Sequence, residues 1–126
     1  MLQNLRQRAS EALATARQVV LSSYGPAEIQ VEVVACEALG LALYVLVPRA
    51  SDLLFNLENN ALVVATADTW QARGVASLLL PDDYLDHLTL TRTPAVAWSQ
   101  LVQIRPTRLR LPPANGHGQG ETIDLW

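Results

Sequence analysis

The feature that most constrains the fold is a succession of strand-like segments that adjoin one another along the chain. Apolar Ile29, Val31 and Val33 alternate with polar Gln30 and Glu32, and this period of two is typical of a strand with one buried face. Further strands are predicted at residues 18–24, 41–47, 61–67, 70–80, 98–105 and 107–111. Because long helical crossovers between them are scarce, the order favours a mainly β chain whose antiparallel sheet closes toward a barrel.

Helices and loops complete a single predicted domain over residues 1–126. Apolar residues at spacings of three and four predict an amphipathic helix of about sixteen residues at the start of the chain. Ser51 is a predicted N-cap of a short helix. Asn59 and Asn60 are expected to end this helix, because asparagine tolerates the left-handed conformation. Pro81 begins a second short helix. Residues 112–126 are predicted to form a flexible loop and a C-terminal tag.

Composition excludes several classes of function. The net charge is −3, and all nine basic residues are arginines, so the dense basic surface of a nucleic-acid-binding protein is missing. The longest apolar window, residues 38–47, is about half of what a membrane helix needs, and no export signal is evident. The expected location is therefore the cytoplasm. A low charged fraction of 17% predicts exposed apolar patches of the kind that form oligomer interfaces.

Few residues carry the signature of catalytic or metal chemistry. Cys36 lies on a predicted strand and is expected to be a small buried hydrophobe. His117 lies in a glycine-rich loop, and His87 follows a group of aspartates whose spacing fits no standard metal site. We therefore predict no metal site. Hydrolase and P-loop signatures are also missing from the sequence.

Two groups of arginines are candidates for anion binding. Arg108 and Arg110 share one strand face with Arg105 nearby, and a solvated outer face is the simplest interpretation. Arg49 precedes Ser51 in a loop that leads into a helix, where backbone N–H groups favour an anion. The next long strand carries the remaining candidates, which could line a flat ligand: Trp70, Gln71 and Arg73.

These segments together resemble one known family. Residues 41–51 form an apolar strand that ends before a serine; a short helix, an apolar strand and a long strand with central Gly74 follow. This pattern, over most of residues 1–111, resembles the pyridoxamine 5′-phosphate oxidase-like split-barrel family. The resemblance implies a six-stranded antiparallel split barrel that forms a homodimer and holds FMN, or another small-molecule ligand, at the dimer interface.

The family's phosphate clamp is largely replaced in this sequence. Asp52 and Leu53 follow Ser51 where the family has basic residues, and Ala61 replaces a proline. The predicted second strand carries Glu28, Gln30 and Glu32 where an arginine is expected. If the chain binds a flavin, we expect a substitute cofactor site made of Arg49, Ser51, Trp70, Gln71 and Arg73.

Three functions stay open at this point. In the first, the chain is an FMN-binding protein, with flavin-dependent oxidoreductase activity if it is an enzyme. Alternatively it is a relative that uses deazaflavin or haem. The third function is a flavin-free dimeric binding or structural module that has lost the clamp.

Overall fold

A computed structural model describes residues 2–83, 88–113 and 120–125. It contains two helices, α1 (Leu2–Leu13) and α2 (Asp52–Asn59), and one antiparallel sheet. The strands are β1 (Gln18–Gly25), β2 (Glu28–Leu39), β3 (Ala42–Pro48), β4 (Leu62–Thr66), β5 (Gln71–Leu78), β6 (Ser99–Leu111) and β7 (Glu121–Asp124). Short 3₁₀ turns lie at Pro81–Asp83, Thr89–Arg92 and Pro94–Trp98. Within the described residues, neither helix has the length and apolar character needed to span a bilayer.

Pairing between β3 and β6 closes six of the strands into a barrel. The sheet runs in the order β3-β2-β1-β4-β5-β6-β7, and the additional β3–β6 ladder joins its two sides. The prediction of a mainly β, six-stranded antiparallel barrel is therefore confirmed. The seventh strand, β7, lies on the same edge of β6 as β3, and extends the ladder beyond the end of β3.

The described residues form two apolar clusters, one inside the barrel and one on its outer surface. Leu21, Leu43, Val45 and Leu109 belong to the interior cluster and have no exposed surface. The second cluster joins Tyr44, Leu46 and Leu101, on the outer faces of β3 and β6, to Leu88 and Leu90. One side of the barrel is thus covered by the chain's own 3₁₀ segment, while the opposite outer face, on β2, β1 and β4, is not covered by any of the residues that the structure describes.

Helix α2 begins at the predicted residue, but it ends in a different way from the predicted one. Ser51 is the N-cap, and its Oγ accepts a hydrogen bond from the N–H of Leu53 at 3.0 Å. Asn60 is the C-cap, but its φ of −147° is extended, so the left-handed ending predicted for the asparagines is wrong. The helix ends because Asn60 Oδ1 instead accepts from the N–H of Leu62 at 3.1 Å and leads the chain into β4.

Other predicted elements differ from the observed ones. Residues 98–105 and 107–111 form one strand, because Pro106 lies at an irregularity in the β5–β6 ladder where a missing N–H is tolerated. The first helix stops at Leu13, earlier than predicted. A 3₁₀ turn takes the place of the start of the helix predicted from Pro81. The predicted C-terminal tag contains β7, whereas most of the predicted flexible loop, residues 114–119, lies outside the described residues.

Candidate functional site

The open side of the barrel carries an extensive apolar surface. The outward side chains of β2, β1 and β4 include one set with exposed fractions from 37% to 70%: Val20, Tyr24, Ile29, Val31, Val33 and Leu62. We call this set the outer apolar face. Cross-strand neighbours build it, since Val20 lies opposite Val33 and Tyr24 lies opposite Ile29. The alternation that predicted a buried strand face is therefore real, but its apolar side points away from the barrel interior.

A cluster of arginines continues this surface onto β5 and β6. Arg73 lies opposite Arg108, and Gln71 lies opposite Arg110, all on the outward side of the sheet. We call Arg73, Arg108 and Arg110 the arginine face. It borders the outer apolar face because Arg73 also lies opposite Val64 of β4.

One carboxylate partner is visible at the arginine face. Arg108 Nε donates to Asp124 Oδ1 at 2.8 Å, and both side chains are more than half exposed. The side chains of Arg73 and Arg110 make no hydrogen bond or ion pair with any other residue in the described ranges. The face therefore keeps an excess of positive charge.

A groove joins the two surfaces. It has a volume of about 580 Å³, and its lining combines the apolar side chains of Tyr24, Ile29, Leu62 and Val64 with Arg73, besides polar serine, asparagine and threonine residues. This volume is within the range of small-molecule and cofactor sites, which combine apolar walls with a few polar groups. The groove can therefore hold a flat aromatic group whose anionic substituent points toward the arginines.

The start of α2 is occupied by the chain's own carboxylate. Ser51 Oγ donates a hydrogen bond to Glu32 Oε2 while it accepts from the N–H of Leu53. Arg49 points elsewhere, since its Nη1 donates to the carbonyl oxygen of Ala97 at 3.2 Å. A phosphate brought to this position would meet the negative charges of Glu32 and Asp52, so these residues do not fit the phosphate of a flavin.

The structure brings two of the five predicted site residues together. Gln71 and Arg73 share the outward side of β5, and Gln71 Nε2 donates to Thr66 Oγ1 at 3.1 Å. Arg49 and Ser51 lie in the loop before α2, with their side chains bonded within the chain. Trp70 is 3% exposed and belongs to the core, and its Nε1 has no hydrogen-bond partner among the described residues. The assignment of the five residues to a cofactor stays a prediction.

Arg108 and Arg110 were predicted to share a face, but not to join Arg73. Their period of two was visible in the sequence, whereas the β5–β6 register was not. That register contains an irregularity at Arg73 and Gly74, and Arg73 falls opposite Arg108 only because of it. The apolar half of the groove carried a sequence signal, namely the alternation in β2, which was interpreted as a core-facing pattern.

The cysteine and the potential metal ligands do not form a catalytic site within the described residues. Cys36 is 5% exposed, as predicted for a buried hydrophobe, and burial together with the nearby Glu37 carboxylate raises the pKa of its thiol to about 11. The thiolate needed for nucleophilic chemistry is therefore disfavoured. No group of three potential metal ligands occurs within the ranges that the structure describes. His87 and His117 lie outside those ranges.

Solved structures that resemble the chain share one architecture. The General Stress Protein 26 of Bacillus anthracis aligns with a TM-score of 0.65 and 18% identity, over 97% of this chain and 99% of that chain. A Clostridium acetobutylicum protein related to general stress protein 26, named as pyridoxinephosphate oxidase family, gives a TM-score of 0.68 and 10% identity over 98% and 96%. HutZ, named as the haem storage protein of Vibrio cholerae, aligns with a TM-score of 0.65 and 15% identity, over 92% of this chain and 96% of that chain.

These identities are low, so the likeness shows the fold. No protein-family model matches the chain, and no curated protein matches it by sequence. The predicted resemblance is confirmed at the level of architecture: the chain has the pyridoxamine 5′-phosphate oxidase-like split-barrel fold.

Proposed function

Starting from this split-barrel fold, we propose that the chain is a homodimer that binds FMN in the groove beside the arginine face. The observation that carries the proposal is the continuity of the groove, whose apolar lining of Tyr24, Ile29 and Leu62 leads directly to Arg73. An isoalloxazine ring needs apolar walls, and its phosphate-bearing chain needs a cationic end. The start of α2 is not part of this proposal, because Glu32 already accepts the hydrogen bond of Ser51 there.

The partner in the homodimer is a second copy that covers the outer apolar face. Ile29, Val33 and Leu62 are each at least 65% exposed, and they lie on adjoining strands. Monomeric proteins rarely leave such a contiguous apolar surface in water, and twofold homodimers are the commonest way to cover one. A second copy would also enclose the groove, which is otherwise open along one side of the sheet.

Bound flavin would supply electron-transfer chemistry, while the chain would supply binding and orientation. The apolar walls of Ile29, Leu62 and Val64 would exclude water from one side of the ring, and Arg73 would fix the anionic end. A flavin-dependent oxidoreductase is the activity this arrangement supports. Its substrate would enter beside the flavin at the same interface.

Haem is the second candidate, supported by the groove and by the likeness to HutZ. The propionates of haem are anionic and would meet the arginine face, as the FMN phosphate would. Tyr24, which is 63% exposed at the groove, would be the residue that holds the haem iron through its phenol, and bound haem would supply redox or oxygen chemistry there.

The test is to titrate the purified protein separately with FMN and with haem. FMN fluorescence should be quenched with saturation, and Leu62→Glu, which puts a charge in the groove, should weaken binding at least tenfold. Leu80→Glu is the matched control, since Leu80 is 68% exposed but does not line the groove.

Three outcomes decide between the candidate functions. Saturation by FMN, lost in Leu62→Glu only, supports the flavoprotein. Saturation by haem alone, with a shifted Soret band that Leu62→Glu abolishes, favours the haem protein. Binding of neither ligand by the wild-type dimer would contradict both and leave a flavin-free binding module.

A further inference from the structure

The arginine face brings like charges together, and a bound anion would reduce the repulsion between them. Arg73 and Arg108 are direct cross-strand neighbours, and Arg110 follows two residues along the same face of β6. Like charges directly opposite each other destabilise a sheet pair. Asp124 contacts Arg108 through Nε, which leaves the face with more guanidinium groups than carboxylates among the described residues.

The polar groups around these arginines form a hollow of suitable composition. Gln71, Arg73, Arg108, Arg110 and Thr122 line a depression of about 110 Å³. Guanidinium groups bind phosphate oxygens through paired N–H donors, and an amide or hydroxyl can donate to a remaining oxygen. The hollow is about a fifth of the size of the groove and is adjacent to it, since Arg73 lines both.

We propose that the arginine face is a phosphate-monoester site and that it holds the phosphate of FMN in place of the loop before α2. The second half of this inference rests on the proposed function, whereas the first half rests on the geometry of β5, β6 and β7 alone. Glu32 is the reason why the phosphate would not bind at the loop before α2. Its carboxylate accepts from Ser51 at the start of α2, which is the location that the sequence resemblance implies for the phosphate.

Comparison of FMN with riboflavin isolates the phosphate, because the two ligands share the ring. The wild-type protein should bind FMN at least tenfold more tightly than riboflavin, since charge-assisted hydrogen bonds to phosphate are strong. Arg73→Gln and Arg110→Gln should each weaken FMN binding by tenfold or more and leave riboflavin binding within about twofold. Arg49→Gln is the matched control from the α2 loop and should leave the preference for FMN intact.

Phenyl phosphate provides a readout that needs no flavin. Calorimetric titration should show saturable binding to the wild type and to Arg49→Gln, and at least a tenfold loss of affinity in Arg110→Gln. Unfolding temperatures of all variants should agree within a few degrees, because the three substituted side chains are on the surface.

The outcomes separate the site from the proposed function. Phenyl phosphate binding without binding of either flavin would overturn the proposed function and keep the phosphate site. Equal binding of FMN and riboflavin by the wild type would keep flavin binding and overturn the phosphate site. Loss of the FMN preference in Arg49→Gln, but not in Arg73→Gln or Arg110→Gln, would return the phosphate to the α2 loop.

Discussion

The side-chain amide of Asn56 donates to the main-chain carbonyl oxygen of Glu28 at 2.7 Å and so ties α2 to the β1–β2 hairpin. Its Nδ2 also donates to Ser23 Oγ, and its Oδ1 accepts from the N–H of Ala27 at 2.9 Å. Asn56 has no exposed surface. A buried amide with this set of partners fixes the hairpin and the helix as one unit, because each group would otherwise be left without a hydrogen bond.

We expect Asn56→Ala to lower the free energy of unfolding by about 2–4 kcal/mol, because it removes three hydrogen bonds, one of them to the buried Ser23 hydroxyl, and leaves a cavity where the amide was. Asn59→Ala is the control on the same helix, since Asn59 is exposed and bonds within its own helix to the carbonyl oxygen of Phe55. Its effect should stay below about 1 kcal/mol. Urea unfolding measures both variants, and equal losses would contradict the assigned role of Asn56.

Much of the fold was predictable because the signals are local. The alternation in β2 and the capping by Ser51 each depend on a few neighbouring residues, and each occurs in the structure. The prediction of two strands, 98–105 and 107–111, was wrong because Pro106 lies beside an irregularity in the β5–β6 ladder, where a proline can stay within a strand. That irregularity depends on β5, which is more than twenty residues earlier in the chain.

The site was less predictable, because its residues come together through register. Glu32 and Ser51 are nineteen residues apart and meet only when α2 packs beside β2. The aromatic character of Trp70 suggested a ligand contact, yet its ring is in the core, since large aromatic side chains serve either purpose. Gln71 and Arg73 lie on the outward side of β5 together, because residues two apart on a strand share one face.

Gly74 is the position in β5 where a side chain has no room. A Cβ there would lie 2.7 Å from Ile104 Cγ2 and 2.8 Å from the carbonyl oxygen of Arg105. We expect Gly74→Val to lower the unfolding temperature by several degrees, corresponding to about 2 kcal/mol or more, through overpacking and displacement of β6. Ser77→Val, at an exposed position of the same strand, should have little effect. A melting temperature for Gly74→Val at or above the wild-type value would contradict the prediction.

Because the pKa of the Cys36 thiol is raised in the folded protein, we expect a loss of stability at alkaline pH. Its thiol stays protonated in the folded protein up to a pKa of about 11, whereas an unfolded thiol ionises near pH 8.5. Over this interval the unfolded chain binds fewer protons than the folded one, so stability falls as the pH rises. Urea unfolding should show a larger loss for the wild type than for Cys36→Ala between about pH 8.5 and pH 11. Parallel losses in the two proteins would show that other groups cause the effect.

The outer apolar face predicts self-association through a defined surface. Sedimentation at micromolar concentration should give about twice the monomer mass, with an interface of about 1,000 Å² per partner. Val31→Arg, at a 56% exposed position in that face, should yield a folded monomer. Phe55→Arg is the control, because Phe55 is 49% exposed on α2, and it should stay dimeric. A monomeric wild type, or dissociation of both variants alike, would contradict this interface.

The last strand of the sheet affects how the protein behaves at high concentration. β7 pairs with Arg108, Leu109, Arg110 and Leu111 of β6, while β3 occupies the earlier part of the same edge. Ile123 and Leu125 anchor β7 in the core. An uncovered edge of this length would present free N–H and C=O groups to any passing strand, which is the first step of sheet-to-sheet aggregation. β7 therefore covers this part of β6 and leaves a last strand of only four residues, and such a short edge strand is a poor template for pairing with another sheet.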